Sequence, residues 1–168
     1  DLSVRAERYA EITDFIEERW PSLGVFAREF PPSEWGFTDM MFIALAYEAL
    51  GDQRRFEEAM HLLEEWEAGA VEQGVENNLL HLNQAEIRAL RGNDNEAFDY
   101  LRKAVDGGWT DSEGIAESTV TFRRFQGDPR LVELESIMLE RVNAGRTLLS
   151  MPLFDANFQP VDMPIEEP

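Results

Sequence analysis

Two glycine breaks constrain what this 168-residue chain can fold into more than any other feature. Gly51-Asp52 and Gly92-Asn93 each interrupt a pattern of apolar residues spaced by three and four. That spacing puts side chains on one face of an α-helix, and glycine suits the left-handed residue just past a helix end. Met40, Ile43, Ala44, Tyr47 and Leu50 precede the first break, and Phe56, Ala59, Met60, Leu63 and Trp66 follow it. Leu80, Ala85, Ile87 and Leu90 precede the second, and Ala97, Phe98, Leu101, Ala104 and Val105 follow. Ala44 to Glu65 and Asn83 to Trp109 therefore read as helical hairpins in an all-α chain.

The flanks extend this pattern. Val4, Ala6, Tyr9, Ile12, Phe15 and Ile16 predict a helix over 2–19. Pro21 ends it, because the residue before proline is pushed out of helical geometry. A short helix over 22–30 follows, and Pro31 and Pro32 break the chain again. Ser33 or Thr38 is the expected cap of the next helix, a hydroxyl being able to accept an orphan amide hydrogen bond. Helices are expected over 56–70, 77–91 and 95–106. Ser118-Thr119-Val120-Thr121 favours extended backbone, so Trp109 to Gln126 reads as a short helix and an irregular connection. Asp128-Pro129 is a helix start, aspartate capping and proline at the first helical position, and predicts a helix over 129–149.

Beyond Ser150, four prolines in eighteen residues preclude a long helix. Yet Leu153, Phe154, Phe158, Val161, Met163 and Ile165 make this segment too apolar for a purely solvating tail. The expected organisation is a helical domain over 1–150 and an extended tail over 151–168. The tail either covers the last helices or docks into a groove of its own or a neighbouring chain, giving self-association.

Thirty-four acidic residues stand against fifteen basic ones, a formal charge of −19. Such a field repels phosphate backbones and anionic lipid, so neither nucleic-acid binding nor membrane contact by this segment is expected. No apolar run approaches the ~20 residues of a membrane helix. The absence of cysteine removes disulfides, thiol catalysis and zinc–thiolate sites, and leaves cytoplasm and periplasm equally open. The chain begins at Asp1, and we expect a processed chain or a piece of a longer protein.

The two hairpins align. Gly51-Asp52 matches Gly92-Asn93, Ala44 matches Ala85, and Phe56-Glu57-Glu58-Ala59 matches Asp94-Asn95-Glu96-Ala97 with three extra residues in the first loop. This resembles the tetratricopeptide repeat, whose small residues let helices approach while large ones fill the holes. The first copy offers Ala44, Tyr47, Gly51, Asp52 and Ala59; the second offers Ala85, Gly92, Ala97, Leu101 and Ala104. Arg88 stands where an aromatic is usual and Trp66 where a small residue is usual, and the glycine spacing exceeds the ~34-residue repeat. The resemblance implies a right-handed superhelix of about seven helices, with its best repeats at about 38–70 and 77–109. Lys103 to Leu134 also resembles the closing part of such domains at the C-termini of bacterial multidomain signalling proteins, which implies a sensory or interaction role.

Members of the family bind peptides or partner surfaces in a concave groove. The matching positions here are Thr38, Met41, Leu45 and Glu48 in the first repeat and Leu79, Leu82, Glu86 and Ala89 in the second. None is the lysine, arginine or asparagine that clamps a terminal carboxylate in chaperone-binding members. An apolar groove with acidic spots instead expects aromatic or aliphatic anchors from a protein or peptide. The alternative is a small-ligand sensor with an apolar interhelical pocket, and an enzyme ranks last. Glu58 and His61 share the Glu-x-x-His spacing of di-iron bundles, but His81 follows Asn78, so the ligand set is incomplete. No catalytic residue, metal or cofactor is expected.

Overall fold

The structure, a computed structural model, describes the backbone of residues 2–30, 34–111 and 113–161, and their side chains except at 2–7, 34–36 and 117. Within these residues it is all helical, with eight α-helices, one 3₁₀ segment and no strand. The chain divides into two compact units, Asp1–Val75 and Glu76–Pro168.

The N-terminal unit holds α1 (Leu2–Arg19), α2 (Leu23–Glu29), α3 (Glu34–Leu50) and α4 (Gln53–Glu72). Ser22 caps α2 by accepting from the Val25 amide. Thr38 lies inside α3 and is not its cap; Pro31, Pro32 and Ser33 fall outside the described residues. Leu23, Met40, Ala44, Ala59, Met60 and Leu63 are inaccessible to solvent, and Ala44 and Ala59 are the small residues that let α3 and α4 approach. A polar network ties the four helices together. Glu58 accepts from the Leu23 amide at 3.1 Å and from Arg55 at 3.2 Å. Arg55 Nε lies 3.6 Å from Glu17, which also accepts from the Tyr47 hydroxyl at 3.3 Å. Burial, followed by the charge of Glu17, pushes the Tyr47 phenol up to about 12, so it stays a donor.

The C-terminal unit holds α5 (Asn78–Leu90), α6 (Asp94–Asp106), α7 (Ile115–Ser118), the 3₁₀ segment Val120–Phe125 and α8 (Pro129–Leu148). Asp128 accepts from the Arg130 amide, with proline in the first turn of α8, as the Asp-Pro pair predicts. The region read as a short helix and an irregular connection is α7 plus the 3₁₀ segment, whose Phe122 and Phe125 pack edge-on or tilted about Phe98. Phe158 of the tail belongs to the same core.

The two hairpin turns close alike. Gly51 and Gly92 adopt φ of 75° and 76°, a left-handed conformation that costs other residues more. The next amide in each case reaches back five residues, Asp52 to the Tyr47 carbonyl and Asn93 to the Arg88 carbonyl. This satisfies helix-end carbonyls that would otherwise be orphaned. Asp52 then caps α4 by accepting from the Arg55 amide at 3.0 Å. In both turns a single residue separates the glycine from the next helix, and the three extra residues assigned to the first loop are the first turn of α4. Arg88 sits where the first hairpin has Tyr47. It pairs with Glu96 at 3.4 Å, and its guanidinium lies 5.5 Å from the Tyr100 ring centroid.

The tail is held along α8. Asn143 clamps Phe154 from both sides, donating to its carbonyl at 2.9 Å and accepting from its amide at 2.8 Å. Arg146 donates to the Pro152 carbonyl and stacks on the Phe154 ring. Met163 and Ile165 lie outside the described residues.

Candidate partner-binding groove

The groove lies within the N-terminal unit, where α1, α2 and α3 converge. Helical spacing aligns Glu11, Ile12, Phe15 and Ile16 on α1, and Asp39, Phe42 and Ile43 on α3. The first residue of the α1–α2 connection supplies Trp20, and the last turn of α2 and its C-cap supply Phe26 and Phe30. Together they enclose about 610 Å³.

Phe26 and Ile16 form the floor, being buried, whereas Phe15, Phe30 and Phe42 are 49%, 44% and 43% exposed. Trp20 braces one end: its ring meets Phe26 and Phe30 edge-on, and its indole N–H donates to Glu29 Oε2 at 2.7 Å. The Glu17–Arg55–Glu58 network described above anchors α1 and α2 to α4, so the aromatic walls stand on a fixed frame. Covering half-exposed aromatic rings on such a frame would release water at little ordering cost.

The residues expected at the repeat groove are distributed differently. On α3, Met41 is buried, Leu45 half-buried, and Thr38 and Glu48 exposed. None lines the aromatic groove, although Asp39, Phe42 and Ile43 are their immediate neighbours on the same helix. On α5, Leu82 and Ala89 are part of the C-terminal unit's core and Leu79 packs against it. The Ala89 carbonyl accepts from Arg124 at 2.7 Å. Glu86 retains some exposure, yet burial around its carboxyl pushes its pKa up to about 7, opposed by a hydrogen bond from Thr121.

The sequence did carry one sign of the groove. Phe42 is a large apolar residue off the α3 stripe of Met40, Ile43, Ala44 and Tyr47, and the structure leaves it exposed.

The other sequence motifs are engaged elsewhere. Glu58 is held by Leu23 and Arg55, and His61 Nε2 lies 3.3 Å from Glu65 on an exposed face. Among the described residues no group of three metal-ligating side chains converges, and no helix is long and apolar enough to cross a membrane.

No protein-family profile, no curated protein and no solved structure matches the chain.

Proposed function

We propose that this chain is an interaction module of tetratricopeptide type that holds apolar side chains of a protein partner in the α1–α2–α3 groove. The observation that carries the proposal is the groove itself, with three half-exposed phenylalanines around about 610 Å³. Soluble proteins seldom expose contiguous aromatic surface without a use for it. The repeat reading is supported by the identical closures at Gly51 and Gly92 and by the complete burial of Ala44, Ala59, Ala85, Ala97 and Ala104 in the two hairpins.

The volume also falls in the range of small-molecule pockets. The mouth favours a partner instead, because a small ligand would leave the three outer rings partly wet. Selection from a random peptide library tests this. Peptides with aromatic or aliphatic anchors should be enriched on the native chain and lost on Phe42→Glu. Enrichment indifferent to Phe42→Glu, or no enrichment at all, would sink the proposal.

A further inference from the structure

Resting on the partner-binding reading, the groove also specifies the kind of partner segment. Eight of its ten described lining residues are apolar or aromatic. The helical backbone beneath is already paired: the Ile16 carbonyl accepts from Trp20, and the Phe26 carbonyl from Phe30. The indole N–H of Trp20 is taken by Glu29. An extended peptide laid in this groove would bury amides with nothing to bond, which weakens binding steeply. A helix satisfies its own backbone and presents only side chains, which fits a trough between two packed helices.

The remaining described lining residues are Glu11 and Asp39, one from each of those helices. Carboxylates only accept, and they pair most strongly with cationic donors. Among the described residues no basic side chain lines the groove. At the rim the chain's own Arg19 stacks on Phe15, its guanidinium 3.7 Å from the ring centroid, so the partner's cations are left to Glu11 and Asp39. A second copy of this chain is a poor occupant, because each copy carries a formal charge of −19. We infer that the groove takes an amphipathic partner helix whose apolar stripe is flanked by lysine or arginine.

Three labelled peptides of about 16 residues, roughly four turns, share one Leu/Phe stripe and differ in flanks of lysine, glutamine or glutamate. Their binding to the full chain is read by fluorescence anisotropy at two salt concentrations. The lysine peptide should bind tightest. Glu11→Lys with Asp39→Lys should weaken it about tenfold, the scale of two surface charge pairs. Glu72→Lys with Glu140→Lys, the same change of net charge at two residues that do not line the groove, should weaken it less than about threefold by long-range field alone.

Equal weakening by both pairs, or equal binding of the glutamine peptide, would overturn the basic-helix assignment while leaving the groove in place. Binding unchanged by Phe42→Glu would overturn the groove itself. A chain that is dimeric and becomes monomeric on Phe42→Glu would replace the partner helix by a second copy.

Discussion

The Thr121 hydroxyl donates to Glu86 Oε1 across 3.3 Å, tying the 3₁₀ segment to α5. Desolvation outweighs this bond and lifts the carboxyl from 4.5 to about 7. The unfolded chain loses this proton near 4.5, while the folded chain holds it until about 7. Between those values the folded state binds more protons, so this group's contribution to stability falls as pH rises and levels off above 7. Glu86→Gln should therefore stabilise the C-terminal unit above neutrality, on the order of 2 kcal/mol at ~1.4 kcal/mol per unit and discounted for partial exposure. The gain should vanish at pH 4. Thr121→Val should move the transition to higher pH by removing the bond that favours the carboxylate. Urea titrations of the three proteins from pH 4 to 8 check both statements.

Helix caps give a graded second prediction. Asp52 and Asn77 accept from the amides of Arg55 and Leu80 at 3.0 and 2.8 Å, whereas Asn93 makes no side-chain cap bond. Asp52→Ala and Asn77→Ala should each cost about 1 kcal/mol, and Asn93→Ala only a few tenths. Thermal melts followed by circular dichroism would rank them, and a cost at Asn93 equal to the others would contradict the structure.

Groove residues should separate stability from binding. Phe42 is 43% exposed, while Phe26 is buried between Trp20 and Phe30 with ring centroids at 5.1 and 5.0 Å. Phe26→Ala should cost about 3–5 kcal/mol and Phe42→Ala less than about 1 kcal/mol. Phe42→Ala should nonetheless abolish capture of apolar-anchored peptides. Urea midpoints and peptide anisotropy on the same samples provide the two readings.

What was legible in the sequence follows the range of the forces involved. The closures at Gly51 and Gly92 and the caps at Ser22, Asn77 and Asp128 depend on residues within one helical turn, so the helices and the all-α class were readable. The first turn of α4 was misread as loop because Gln53, Arg54 and Arg55 carry no apolar marker, although Asp52 caps them. The groove needs α1, α2 and α3 to meet, and no local rule states which apolar face stays uncovered. Ile12 and Phe15 share one stripe with Ile16, yet Ile16 is buried and Phe15 is half exposed. The tail lies along the last helix, one of its two expected destinations, but the seat of Phe158 against Gly114 was hidden because the two are distant in sequence.

That contact supports the last prediction. Phe158 is buried in the core of the C-terminal unit at a φ of 56°, a conformation unfavourable for a bulky side chain. Phe158→Ala should lose about 3–5 kcal/mol of packing, with the backbone cost unrelieved because alanine keeps the Cβ that causes it. A Cβ at Gly114 would stand 3.1 Å from Phe158 Cδ2, on a backbone with φ of +84°. Gly114→Ala should therefore destabilise through both the ring and the backbone. In the Phe158→Ala background the first cause disappears and the second remains. The double-mutant cycle should show a coupling of about 1 kcal/mol or more between two positions far apart in the chain. Strictly additive costs would mean that the tail does not seat Phe158 against Gly114 in solution, and that the C-terminal unit closes its core without it.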